Sequence, residues 1–173
     1  MQPDYQRLKF PYQRPPDFGQ NPPLHVPVVV VGAGPVGLAA AIDLAHRGIR
    51  VVVLDDDDCL SAGSRALCYA KRTLEIFDRL GCGDAVVDKG VSWNVGKVFY
   101  RDEPVYSFNL LPEPGHRRPA FVNLQQYYLE GYLYELSQGL DLLEIRWKNR
   151  VINVSQNPDH AEVVIETPDG EYT

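Results

Sequence analysis

The part of this sequence richest in chemistry is Gly32-Ala33-Gly34-Pro35-Val36-Gly37, followed 23 positions beyond Gly32 by Asp55. Glycine first in such a run permits a sharp turn. The second lets the backbone approach a pyrophosphate with no Cβ in the way, and the third lets a helix pack close to a strand. A helix opening at this run points its free N–H groups and the positive end of its dipole at phosphate. A carboxylate at Asp55 can accept hydrogen bonds from both hydroxyls of an adenosine ribose, whereas a 2′-phosphate there meets a like charge, which disfavours NADP. The fingerprint alone does not separate FAD from NAD, and a tight turn without a ligand is the plain alternative.

The elements needed to position these residues are written around them. Residues 28–31 are a β-branched run, expected as a strand buried on both faces of a parallel sheet. A helix follows, with Leu38, Ala41, Ile42 and Ala45 on its apolar side and Gly48 as its stop. Residues 50–54 form a second buried strand that delivers Asp55 to its end, so the fingerprint sits in a βαβ unit. Further on, 65–80 reads as a helix with Leu74, Phe77 and Leu80 in its stripe. Residues 95–100 and 105–110 read as a hairpin, 121–123 as a short strand, 125–138 as a helix, and 143–147, 151–154 and 161–166 as strands. The expected fold class is α/β: a Rossmann-like βαβ dinucleotide-binding domain carrying the beginning of a β-rich domain, which the family resemblance carried by residues 29–77 implies are an FAD-binding and a substrate domain. The expected division is an extended arm over 1–27 with seven of the 14 prolines, a dinucleotide unit over 28–90, the start of the β-rich domain over 91–122, and a helix with strands over 123–173, the helix being cofactor-contacting by the same resemblance.

Composition narrows the function classes. A net charge of −6 argues against nucleic acid and anionic membrane as partners, because phosphate contacts need clustered Lys and Arg. The most apolar stretch, 28–44, is broken by Gly32, Gly34, Pro35 and Gly37, so no membrane span is expected. Cys59, Cys68 and Cys82 fit neither a disulfide framework nor a zinc site, which points to a reducing, cytoplasmic setting. The four histidines show no ligand spacing. Asp56, Asp57 and Asp58 read as solvated loop acids, Arg117 and Arg118 as surface cations, and Trp93, Tyr100, Tyr106 and Phe108 as core aromatics.

Residues 29–54 with Asp55, followed by Ser64-Arg65-Ala66-Leu67-Cys68-Tyr69-Ala70-Lys71-Arg72-Thr73-Leu74-Glu75-Ile76-Phe77, resemble the para-hydroxybenzoate-hydroxylase-type (group A) flavoprotein monooxygenases. The Arg-Thr-Leu-Glu-Ile segment is most similar to the phenol and 3-(3-hydroxyphenyl)propionate hydroxylase branch. The resemblance implies that Arg65 contacts the FAD pyrophosphate, where a guanidinium can pair bidentately with phosphate oxygens. It also implies a cofactor-holding glutamine at the start of the later helix. Gln126 keeps the register with Leu129 and Leu133, which Gln125 breaks, and its amide can reach phosphate or ribityl hydroxyls.

The function so implied is the FAD-binding portion of an enzyme in which NADH or NADPH reduces the flavin and molecular oxygen then hydroxylates a phenolic ring. The flavin carries that chemistry, so no catalytic acid, base or nucleophile and no metal is assigned. The expected cofactor residues are Gly32, Ala33, Gly34, Pro35, Val36, Gly37, Asp55, Arg65 and Gln126. An NAD-dependent dehydrogenase domain and a truncated, non-catalytic nucleotide-binding module are the other readings. The turn signal Pro168-Asp169-Gly170, so close to Thr173, is expected to leave a strand without its return partner, as in the N-terminal part of a longer protein.

Overall fold

The computed structural model describes residues 4, 5, 8–61 and 67–173. The elements, in chain order, are β1 (Val28–Val31), α1 (Pro35–His46), β2 (Val51–Asp55), β3 (Cys68–Ala70), α2 (Lys71–Leu80), α3 (Gly83–Lys89), β4 (Val91–Trp93), β5 (Val95–Tyr100), β6 (Glu103–Asn109), β7 (Phe121–Asn123), α4 (Gln126–Ser137), β8 (Leu143–Trp147), β9 (Arg150–Gln156), β10 (Ala161–Thr167) and β11 (Gly170–Tyr172). They gather into two compact units: residues 1–62 with 130–173, and residues 63–129. Strand pairing, more than sequence order, sets which segments share a core, so residues 130–173 join the first unit.

In the first unit a parallel sheet of order β1-β2-β8 pairs Val31 with Leu54 and Asp55 with Trp147. Helix α1 buries Leu38, Ala41, Ile42 and Ala45, the face its periodicity predicts. Gly48 takes φ 79°, the left-handed geometry that returns the chain to β2. On the other face of β2, Val52 and Leu54 pack with Ile165 and Tyr172. Strand β1 departs from expectation. Among the described residues it is an edge strand of its sheet, and its Val29 and Val31 are exposed, the latter to 61%. The antiparallel sheet of order β11-β10-β9 completes the unit, and Gly170 at φ 117° closes a tight turn that pairs Thr167 with Gly170 and Ile165 with Tyr172. The return strand expected to be missing is thus formed by the three residues of β11, and it buries Tyr172.

The proline-rich arm carries no strand or α-helix among its described residues, as its prolines predict, and it packs against the unit at several points. Phe10 stacks on Trp147 with centroids 4.2 Å apart, Tyr5 meets Tyr132 edge-on, and Asp17 is buried against Arg146. Its aromatics gain more from that apolar surface than the arm loses by becoming ordered.

In the second unit β7 sits between β3 and β4, antiparallel to both. The helix expected over 65–80 begins only at Lys71, because Cys68–Ala70 is drawn out to pair with Phe121–Asn123, burying Tyr69. Helix α3 was not anticipated. Hairpin β5–β6 forms at the expected place, but Tyr100 and Tyr106 on it are exposed, contrary to the core assignment. Arg118, expected at the surface, is buried. It donates its Nε to Asp78 Oδ2 at 2.8 Å and Nη2 to Asp84 Oδ1 at 2.6 Å, so two carboxylates satisfy the charge.

The cysteines are unpaired: Cys68 is exposed, Cys59 intermediate and Cys82 buried. Burial pushes the Cys82 thiol up to about 11, which removes the reactive thiolate at neutral pH. Iodoacetamide should therefore label Cys68 in the native protein and Cys82 only after denaturation, as read by peptide mass spectrometry. Native labelling of Cys82 at the rate of Cys68 would contradict this packing. Among the described residues no helix is long and apolar enough to cross a membrane.

Candidate functional site

The fingerprint loop lies between the end of β1 and the start of α1. Gly32 extends the strand pairing by donating its N–H to Leu54 O at 2.7 Å, then turns at φ 100°, where a side chain would be strained. Gly34 is the N-cap of α1, extended at φ −73°, with no side-chain cap, and Pro35 stands in the first turn, where a missing N–H is no loss. A Cβ built on Gly34 would meet no heavy atom within 4 Å, whereas one on Gly37 would run into the carbonyl oxygen of Gly32. The two glycines thus do different work. Gly37 lets the helix sit against the strand, and Gly34 keeps the approach to the helix N-terminus open.

Asp55 closes the site. Its Oδ2 accepts the Ala33 N–H at 2.5 Å, and its Oδ1 accepts the Asp57 N–H at 2.9 Å. The carboxylate therefore stands at the fingerprint, across the strand ends from the opening over Gly34. Burial pushes its pKa up, against the pull of the Ala33 and Asp57 amides, which favour the charged form. Asp55, Asp56 and Asp57 bring ligand oxygens within 4.8 Å of one another, but the two Asp55 oxygens already serve backbone amides. Asp58 behaves differently: Lys9 and Lys148 hold its carboxyl down at about 2. That stabilisation is complete above the ordinary carboxylate pKa and is lost as pH falls toward 2.

The structure thus gathers Gly32, Ala33, Gly34, Pro35, Val36, Gly37 and Asp55 in the first unit. Arg65 lies outside the described residues. Gln126 opens α4 in the second unit and is buried, while Gln125 is exposed. Glu130 and Asn149 are among the buried polar residues that the sequence does not announce. Glu130, four residues after Gln126, accepts Ser61 N–H and Oγ–H, each at 2.7 Å. Asn149 donates its backbone N–H to Asp55 O at 2.8 Å. The only sequence signal for Glu130 is an acid in the α4 apolar register, and for Asn149 there is none.

An open helix N-terminus, a cradle over Gly34 and an acid facing the loop fit the pyrophosphate and adenosine ribose of a dinucleotide. Comparison with known proteins decides which one. Residues 25–173 match the family described as FAD binding domain. The chain belongs to this family. Its relatives include a para-nitrophenol 4-monooxygenase from Pseudomonas sp. (strain WBC-3), 34% identical over 151 residues that cover 81% of this chain and 35% of that protein. A probable NADH-specific resorcinol 4-hydroxylase from Rhodococcus jostii (strain RHA1) is 31% identical over 92% of this chain and 30% of its own length. The crystal structure of p-nitrophenol 4-monooxygenase from Pseudomonas putida DLL-E4 superposes with a TM-score of 0.77 at 29% identity, covering 84% of this chain and 37% of that one. This FAD-binding chain therefore spans about a third of the length of the curated relatives it matches. The family sides with the FAD resemblance over the dehydrogenase reading, and FAD is the cofactor the fold takes.

Proposed function

We propose that this chain is the FAD-binding portion of an NAD(P)H-dependent flavoprotein monooxygenase that hydroxylates a phenolic substrate with molecular oxygen, with NADH or NADPH as electron donor. The observation that carries the reading is Asp55 facing the fingerprint loop through Ala33, with open space over Gly34. The relatives that act on para-nitrophenol and resorcinol support a small phenol as the substrate class. Bound flavin would supply the redox and oxygen chemistry. The chain's own residues would bind and orient it: the α1 N-terminus and the Gly34 backbone hold the pyrophosphate, Asp55 accepts the ribose hydroxyls, and Arg65 and Gln126 add a phosphate pairing and an amide contact. The free cysteines and the acidic charge support a cytoplasmic setting without nucleic acid.

The test is flavin retention. Purified chain mixed with FAD and freed of excess ligand should keep absorption bands near about 370 and 450 nm, characteristic of protein-bound flavin. Asp55→Ala should weaken that retention by roughly tenfold or more, from the loss of charge-assisted ribose hydrogen bonds worth about 1.5–3 kcal/mol. Retention of NAD in place of FAD would return the dehydrogenase reading. Undiminished FAD retention in Asp55→Ala would remove Asp55 from the site.

The raised Asp55 pKa gives a pH dependence. Only the ionised carboxylate accepts both ribose hydroxyls, so FAD affinity should fall as pH drops through that pKa, starting at a higher pH than for an ordinary aspartate. Burial disfavours the same ionised form, so protonating Asp55 stabilises the ligand-free fold as pH falls, opposite in sign to Asp58. Fluorescence titration of FAD across mildly acidic pH would show the fall in wild type and its absence in Asp55→Asn. A fall retained in Asp55→Asn would assign it to another group.

A further inference from the structure

A buried polar chain runs from the N-terminal arm to Asp55, and only Asp55 itself belongs to the anticipated site. Asp17 and Arg146 are 6% and 7% exposed. They pair at two points, Arg146 Nη2 lying 2.7 Å from Asp17 Oδ1 and Nη1 donating to Oδ2 at 3.0 Å. The same Nη1 donates to the Tyr172 hydroxyl at 3.1 Å, and that hydroxyl donates to Asn149 Oδ1 at 2.8 Å. Asn149, 1% exposed, donates its Nδ2 to Trp147 O at 2.9 Å and its backbone N–H to Asp55 O at 2.8 Å. Groups this deep are costly unless paired: Asp17 Oδ1 has the Arg146 ion pair without a hydrogen bond, the other members are hydrogen-bonded, and a linked set restricts its members more than separate pairs do.

The arm also grips the acidic segment directly. Phe10 donates its N–H to Asp58 O at 2.7 Å and stacks on Trp147, the β8 residue in register with Asp55. From the β8–β9 turn, Lys148 donates its N–H to Asp57 O at 3.1 Å. Asp55, Asp57 and Asp58 are thus held by their backbone carbonyls from two sides, and the Asp55 side chain is left facing Ala33. An apolar strap could have held the arm down. What it could not do is fix the backbone of Asp55 through Asn149.

We propose that Asp17, Tyr172 and Asn149 are positioning residues for Asp55, and that the arm is a strap that fixes this carboxylate against the fingerprint loop and so sets the affinity for the adenosine end of FAD. The proposal rests on the reading of Asp55 as the ribose acceptor. It separates from a merely structural role by coupling. A residue acting through Asp55 loses its effect on FAD once Asp55 is gone, whereas a residue that only supports the fold keeps it.

Tyr172→Phe removes the hydroxyl and keeps the ring, and Asp17→Ala removes the anchor. If Asp17→Ala fails to fold, Tyr172→Phe carries the test. Two readouts apply to the 173-residue chain. By amide hydrogen exchange, Tyr172→Phe should speed exchange at Ala33, which donates to Asp55, relative to Gly32, which donates to Leu54 O. By FAD titration, Tyr172→Phe should weaken binding about three- to tenfold in wild type, the equivalent of one hydrogen bond. It should have no further effect in the Asp55→Ala background. Unchanged relative exchange at Ala33, or losses that add in full on Asp55→Ala, would overturn the strap. If Asp55→Ala alone leaves FAD affinity unchanged, the ribose reading falls, and the affinity half of the proposal with it. Exchange at Ala33 decides the positioning half by itself.

Discussion

Gly37→Val should strongly destabilise the first unit. A Cβ at position 37 would run into the carbonyl oxygen of Gly32 and would stand 3.1 Å from the Gly32 carbonyl carbon and 3.2 Å from Val30 Cγ1. The first two obstacles are backbone, and Gly32 is itself pinned by its hydrogen bond to Leu54 O. Relief therefore means lifting the start of α1 off β1, which exposes Leu38, Ala41 and Ile42. Overpacking of this kind costs about 3 kcal/mol or more, against a gain of about 1 kcal/mol or less from replacing glycine inside a helix. A loss of that size is a large part of the roughly 5–15 kcal/mol that holds a domain together. Thermal unfolding by circular dichroism should show no cooperative transition, or one far below wild type. A midpoint within a few degrees of wild type would mean that α1 is free to move away from β1, and the close helix–strand seat would have to be abandoned.

Where the sequence could be read, the local pattern and the global fold agreed. Strands 121–123 and 143–147 and the buried face of α1 follow directly from alternation and helical spacing. The loop glycines and Asp55 were legible because phosphate chemistry demands those residue types at those intervals. Failures came where a partner distant in sequence decides. Cys68–Ala70 has helical spacing on paper, but pairing with Phe121–Asn123 offers it a ladder that propensity cannot see. The β-branched run of β1 reads as doubly buried, but Val29 and Val31 stay exposed because, among the described residues, they border an open cavity rather than a packed layer. Arg118 reads as a surface cation until α2 and α3 bring Asp78 and Asp84 to it. Prolines announce an extended arm but say nothing of its docking surface, which depends on Trp147 and Arg146 more than a hundred residues away.

Gly34→Val should do the opposite of Gly37→Val: keep the fold and lose the flavin. Position 34 has φ −73°, comfortable for any L-residue, and open space where a Cβ would point, so the ligand-free protein meets no clash and loses only the N-cap preference of glycine over valine, about 1 kcal/mol. That same space is the approach to the uncapped α1 N-terminus, where the pyrophosphate must come close to use the backbone N–H groups. A valine there would hold the phosphates off. The steric penalty of about 1–3 kcal/mol is compounded by weakened charge-assisted hydrogen bonds of about 1.5–3 kcal/mol each, so the expected loss of FAD affinity is on the order of a hundredfold or more. Absorbance of the purified variant after FAD loading should show no retained flavin, while its melting midpoint stays within a few degrees of wild type. Wild-type retention would mean that the pyrophosphate does not cross Gly34. A collapse of the midpoint would mean that this glycine, like Gly37, serves the fold. Because the two positions lie three residues apart in one fingerprint, the opposite outcomes would separate the part that seats the helix on the strand from the part that leaves room for a ligand.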